Sequence, residues 1–139
     1  KLRQNEIEAG MNSVVFYSGF QSKANKVKND LMMFLIEAKK NNKKVAAYGA
    51  AAKGNTLLNY AGVRPDLLSY VVDKNPNKQN KYMPGNRIPI KKEQYLKNDK
   101  PDYVLILPWN LKNEIMNQLE YIHNFEGKFV VAIPAIEIF

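Results

Sequence analysis

The sequence predicts an α/β fold: an open, mostly parallel sheet with helices on both faces, preceded by an amphipathic N-terminal helix. Three observations point there. Short apolar segments alternate with stretches of helical periodicity, several of those segments are apolar without interruption, and the turn after the first of them is built from glycine and alanine. Uninterrupted apolar runs are what strands covered on both faces require, and alternation of strand and helix gives a parallel sheet.

From Ser22 to Lys40 the apolar residues Val27, Leu31, Phe34, Leu35 and Ala38 recur at helical spacing, and the stretch stops at the polar turn Asn41 to Lys43. Lys44 to Tyr48 is the first strand, Gly49 to Gly54 a tight turn, and Thr56 to Ala61 a helix. Leu67 to Val72 is a second strand ending at Asp73, and the basic, turn-rich segment from Lys74 to Arg87 is a long loop. Ile88 to Ile90 is expected to be extended because Pro89 has no amide to donate and biases the residue before it. Lys91 to Asn98 reads as a short helix, and Tyr103 to Leu107 as a strand buried on both sides. Leu111, Ile115, Leu119 and Ile122 form the next helical stripe, with Asn110 as its N-cap and Gly127 as its stop. Phe129 to Ile133 is the last buried strand, and Pro134 to Phe139 an irregular or edge segment.

A chain of 139 residues is expected to form one domain with one substantial core. With no cysteine and one histidine, it lacks the means for disulfides, a thiol nucleophile or a cysteine- or histidine-rich metal site. The start, KLRQNEIEAG, has neither an initiator methionine nor a signal pattern and reads as a cut from something longer. No apolar run approaches the roughly 18 residues of a membrane span, so no membrane partner is expected and the location expected is cytoplasmic.

The net charge of +8 is regional: residues 22–44 carry seven lysines against Asp30 and Glu37, and residues 74–92 carry six basic groups and no acid. Such a field favours an anionic partner, although a lysine-rich surface also simply keeps a protein in solution. Aromatic and basic residues are not interleaved as in RNA-binding modules, so nucleic acid is not expected.

In parallel sheets ligands collect beyond the carboxyl ends of the strands, which directs attention to the segments Gly49–Thr56, Asp73–Asn75 and Pro108–Asn110 and to one crevice shared between them. The first has the pattern G-x-A-x-x-G, with Ala51 at the second glycine position of a dinucleotide fingerprint. It also has P-loop spacing, but Asn55 stands where that motif needs lysine, so an ATPase is not expected. Free amides and the helix dipole at this turn suit an anion, with Lys53 adding a cation; small residues equally serve tight packing. Asp73 follows Gly49 by 24 positions, where a ribose-binding acid would stand, or it closes an Asx-turn. Trp109 either stacks on a ligand or plugs the core, and Asn110 either offers its amide or caps a helix. His123 has no catalytic partner, and no Ser/His/acid set or carboxylate pair can be assembled.

Four blocks occur in order: YGAAAKGNTLLNY (Tyr48 to Tyr60), VVDKNPNKQNKYMPGNRIPI (Val71 to Ile90), PDYVLILPWNLKNEI (Pro101 to Ile115) and FVVAIP (Phe129 to Pro134). Together they resemble the C-terminal domain of the S-adenosylmethionine-dependent nucleotide-sugar C-methyltransferases, and the resemblance covers residues 1–139. It implies a Rossmann-like, sugar-nucleotide-binding domain, with residues 1–43 as its helical extension, detached from a larger methyltransferase. In that family an N-terminal domain holds zinc through cysteines, a central domain binds S-adenosylmethionine and carries the catalytic bases, and the nucleotide-linked deoxysugar lies between the central and C-terminal parts. Methyl transfer goes to a sugar carbon acidified by a neighbouring keto group.

By this resemblance Lys53, Gly54, Asn55 and Thr56 meet the pyrophosphate or sugar, Asp73 and Lys74 lie near the nucleotide, and Trp109 and Asn110 border the sugar pocket. The partners implied are a nucleotide-diphosphate sugar and the central domain of the same polypeptide. Zinc and S-adenosylmethionine would both be held outside this chain, since the zinc cysteines and the glycine-rich S-adenosylmethionine loop are absent from it. No catalytic residue and no cofactor are expected here, and the chain alone is not expected to methylate. Two other readings stand beside this one: a stand-alone Rossmann-like module for NAD or another nucleotide, and a structural domain docking through its basic helix.

Overall fold

The computed structural model describes residues 23–139; Ser22, where the first helix is expected to begin, and the rest of the expected extension up to it lie outside the described residues. Helix α1 (residues 23–40) buries Leu31, Leu35 and Ala38, and its Phe34 ring meets Tyr103 edge-on at 5.0 Å. The helix stops where Asn42 takes a left-handed conformation (φ 57°) and the Lys43 amide turns back to Ala38 O at 2.8 Å. Asparagine tolerates that conformation better than most residues with a side chain.

The sheet has the order β3-β2-β1-β4-β5-β6, from β1 (Val45–Tyr48), β2 (Val71–Asp73), β3 (Ile90–Lys92), β4 (Tyr103–Ile106), β5 (Lys128–Val131) and β6 (Glu137–Ile138). The first five are parallel and β6 runs antiparallel along β5, as an edge segment. Strand order reverses between β1 and β4, which is the switch point at which open α/β sheets take ligands.

Period-two alternation divides the strand side chains between two cores. Val45, Ala47, Val71, Leu105 and Val130 pack with Leu31 and Leu35 of α1 and Leu58 of helix α2 (Ala52–Ala61). Ala46, Val72, Val104, Ile106 and Phe129 pack on the opposite side against Leu96 of α3 (Gln94–Asp99), Ile115 of α4 (Lys112–Gln118), and Leu119 and Ile122 beyond it. Both faces are therefore covered, which is why the strands read as continuous apolar runs.

Several boundaries differ from the sequence expectation for identifiable reasons. Helix α2 starts at Ala52, not Thr56, so the second half of the expected glycine turn, Ala52 to Gly54, is its first turn. Strand β2 is shorter than expected because the Leu67 and Leu68 amides bond back to Arg64 O, making a turn whose Leu68 enters the core. Strand β3 is displaced to Ile90–Lys92, and residues 80–90 fold back on themselves: Asn80 and Ile90 pair through Asn80 N–H to Ile90 O (2.9 Å), and Ile90 N–H bonds Lys81 O (2.8 Å).

Asn110 does not cap α4. A 3-10 turn, Trp109–Leu111, precedes that helix, and Leu111 occupies the cap position without a side-chain bond. The stripe expected as one helix to Gly127 divides into α4 and a 3-10 segment, Glu120–Phe125, which ends with Glu126 in the left-handed region (φ 66°).

At the opening ends of the strands, Asp99 ties three elements together. Its carboxylate accepts the Tyr70 hydroxyl at 2.7 Å and pairs with Lys44 Nζ at 2.7 Å, while Asp102 accepts the Lys44 amide at 2.7 Å. Burial, and then the bond to Asp99, raise the Tyr70 phenol far above its usual range. Burial pushes Tyr121 up to about 12.

These tyrosines stay protonated in the fold while unfolded tyrosines ionise near pH 10. Above that pH the native state binds more protons than the unfolded state, so stability declines as pH rises. Urea titrations between pH 8 and 11.5 should show that decline, and Tyr70→Phe should flatten it. At neutral pH the same substitution should cost about 1–3 kcal/mol through the lost bond to a carboxylate.

Candidate functional site

The β1–α2 turn is placed by two close approaches. Gly49 has φ +97°, and a Cβ there would come within 2.6 Å of Pro108 Cδ. Gly54, one turn into α2, lies where a Cβ would come within 2.6 Å of Leu107 Cβ. Both contacts press the turn onto the segment following β4, so the loops after β1 and β4 adjoin.

The loop after β2 joins them through one peptide unit and its neighbour. Asp73 Oδ2 accepts the Ala50 amide at 2.8 Å, and Lys78 Nζ donates to Ala50 O at 3.0 Å. The other Asp73 oxygen accepts the Asn75 amide at 2.8 Å, an Asx-turn, and Asn75 repeats the device on the Asn77 amide at 3.0 Å. Gln79 adds a bond to Asp73 O at 2.8 Å. Of the two readings weighed for Asp73, the Asx-turn is present, and the same carboxylate braces the glycine turn.

Beyond Ala50 the chain enters α2, whose Ala51 cap residue makes no side-chain bond. The Ala52, Lys53 and Gly54 amides thus form a first turn without intrahelical acceptors, the arrangement that favours an anion. The flanks of this turn differ. On one side Lys53 Nζ stands 6.0 Å from the centre of the Trp109 ring, a cation–π approach. On the other a cleft of about 440 Å³ opens, lined among others by Ala50, Ala52, Thr56, Lys78, Lys81 and Tyr82. Its size falls within the roughly 300–1,000 Å³ usual for small-molecule sites.

The cleft's outer wall is the segment between β2 and β3, which crosses over without a helix. Met83 and Ile88 are buried beneath it, and Asn86, 3 % exposed, donates to Asn55 Oδ1 (2.9 Å) and Asn59 Oδ1 (3.2 Å) while accepting the Ile88 amide (3.0 Å). Asn59 in turn donates to Pro84 O at 2.9 Å. An amide ladder thus holds the crossover on α2.

The residues expected from sequence distribute around this geometry. Lys53 and Trp109 meet, with Trp109 half-buried against the second core. Asn55 and Thr56 line the cleft, although the Asn55 oxygen is engaged by Asn86 and the Thr56 hydroxyl donates to Ala52 O at 2.9 Å. Gly54 is buried and packs on Leu107, so its structural contribution is the close helix–strand approach. Lys74 and Asn110 are exposed and do not line the cleft.

Lys78, Lys81 and Tyr82 are not among the site residues expected from the sequence, where the basic character of residues 74–92 and the aromatic–basic pair Lys81-Tyr82 are the signals that point to them. On the opposite side of β1, Gln118 Nε2 bonds both Tyr48 Oη (2.9 Å) and Glu93 Oε1 (2.6 Å), and burial raises the Tyr48 phenol. Among the described residues no group of three or more His, Cys, Asp or Glu side chains is arranged to hold a metal, and no helix is long and apolar enough to cross a membrane.

Residues 1–134 match the C-methyltransferase C-terminal domain family. The chain belongs to that family. It is 41 % identical over 93 residues to the C-methyltransferase NovU of Streptomyces niveus; the match covers 66 % of this chain and 22 % of that protein, so the chain spans a small part of its curated relative. Among solved structures, UDP-D-quinovosamine 4-dehydrogenase from Vibrio fischeri is similar with a TM-score of 0.49 and 22 % identity, over 67 % of this chain and 79 % of that one.

In this C-methyltransferase C-terminal domain, Asp73→Ala would leave the Ala50 and Asn75 amides without their acceptor. It should cost about 1–3 kcal/mol, and Asp73→Asn less, because one oxygen remains. Hydrogen exchange at the Ala50 amide, together with urea denaturation, measures both effects. Gly54→Ala should cost a similar amount, about 1–3 kcal/mol by overpacking against Leu107, read from the same denaturation curves.

Proposed function

We propose that this domain binds the substrate of an S-adenosylmethionine-dependent C-methyltransferase, a nucleotide-diphosphate-linked keto-deoxysugar, and that it acts with a central methyltransferase domain of the same polypeptide in the cytoplasm. The observation that carries this reading is the α2 first turn at the sheet's switch point, braced by Asp73 and Lys78 and flanked by Lys53, Lys78 and Lys81. A diphosphate presents about two negative charges, and charge-assisted bonds from lysines and free amides suit it. Family membership supplies the reaction class, and the resemblance drawn from the sequence blocks supplies the sugar nucleotide.

On this reading the domain holds and orients; it does not supply the base. Immobilising the diphosphate fixes the position of the sugar beyond it, and positioning alone is a large contribution to a reaction between two bound molecules. Trp109 and Asn110 border the sugar, with Lys53 kept over the indole until the anion arrives. S-adenosylmethionine supplies an electrophilic methyl group when bound by the central domain, and zinc belongs to the N-terminal one.

Calorimetric titration of the methyltransferase polypeptide carrying this domain with uridine- and thymidine-diphosphate sugars tests the proposal. Lys53→Ala and Lys81→Ala should each weaken binding by about 1–3 kcal/mol. Failure of the unmodified polypeptide to bind any such sugar, or a micromolar affinity for NADH in their place, would sink it.

A further inference from the structure

We propose that Tyr82 is the stacking platform for the nucleobase, so that the cleft between α2 and the β2–β3 crossover receives the nucleoside half of the ligand. This rests on the function proposed above and assigns a subsite within it. Tyr82 is 63 % exposed although its neighbour Met83 is 2 % exposed, so core packing does not account for the ring. Its backbone is nonetheless fixed. Tyr82 forms an antiparallel bridge with Pro89, Lys81 O accepts the Ile90 amide at 2.8 Å, and the Met83 amide bonds Ile88 O at 2.8 Å.

The whole segment is tied down on α2 by Asn86. An aromatic face presented on a rigid backbone loses little freedom when a flat ligand lies on it. Ala50 to Ala52, which line the same cleft, carry nothing larger than a methyl group. Lys78 and Lys81 share the same cleft, so a base on Tyr82 and phosphates directed to the α2 first turn both lie along its lining. Base stacking on an aromatic side chain is tolerant of base identity, because every base has a π-face. Tyr82 therefore contributes affinity for nucleosides as a class, and base choice falls to other contacts.

The experiment titrates the methyltransferase polypeptide carrying this domain with uridine, thymidine and adenosine diphosphates and with inorganic pyrophosphate, for the unmodified protein, Tyr82→Ala and Tyr82→Phe. Tyr82→Ala is expected to weaken all three nucleotides roughly tenfold, the size of a lost stacking contact, and to leave pyrophosphate unchanged; Tyr82→Phe should bind as the unmodified protein does. Nucleotide affinity untouched by Tyr82→Ala, or a loss shared equally by pyrophosphate, would overturn the assignment and leave the proposed function standing. Absence of binding by every one of these ligands to the unmodified protein would overturn the proposed function itself. Because the ring is largely exposed, the alanine variant should keep its unfolding midpoint, which is checked alongside.

Discussion

The site depends on how one residue, Ala50, is held. Its amide is taken by Asp73 and its carbonyl by Lys78, both from the connection that follows β2. A main-chain unit at a sharp turn has no ladder partner, and when half-buried it must find one elsewhere. Satisfying both of its polar groups from the neighbouring loop fixes the direction in which the chain leaves β1. The next residues, pressed by Gly49 and Gly54 against Pro108 and Leu107, then have one course into α2. The placement of the helix's first amides follows from these contacts together. The loop that supplies the brace also walls the cleft, so fold and site share their supports.

The two faces of the sheet divide the work. The face under α1 and α2 carries the turn, the crossover and the cleft. The other is tied by polar contacts at both ends of the strands: Tyr70, Asp99 and Lys44 where they begin, and Tyr48, Gln118 and Glu93 where β1 ends. Phenols in these networks have raised pKa values because burial disfavours their anions. They remain neutral donors and acceptors across the physiological range, which suits a rigid support.

Much of this was legible in the sequence, because the signals were periodic. The stripe Leu31, Leu35 and Ala38, the uninterrupted run from Tyr103 to Leu107, and the glycines of the first turn each express a packing requirement that recurs residue after residue. What was illegible depends on single residues whose partners are distant in the chain. Nothing local to Asn86 says that it will be buried between Asn55 and Asn59, and nothing local to Lys78 says that it will reach back to Ala50. Met83 and Ile88, two apolar residues in a polar segment, make a crossover do the packing usually given to a helix. Gly54 packs on Leu107, and because helix packing and phosphate approach favour the same residue, its identity alone does not separate the two. Asn110 was read as a cap because the 3-10 turn that displaces it has no distinguishing composition.

The departure of this turn from a dinucleotide fingerprint has a physical consequence for any anion bound there. A glycine at the middle position lets a diphosphate lie directly against the backbone; Ala51 keeps it at the distance of a methyl group. The acid that would meet a ribose, Asp73, already accepts two main-chain amides. Under the proposed function, recognition at this turn is thus shifted from backbone towards side-chain cations, Lys53 beside Trp109 and Lys78 and Lys81 in the cleft lining. Lysine is a flexible point charge that attracts a phosphate without dictating its angle of approach. Under the proposed function such a cluster of cations attracts its anion through a field that salt screens.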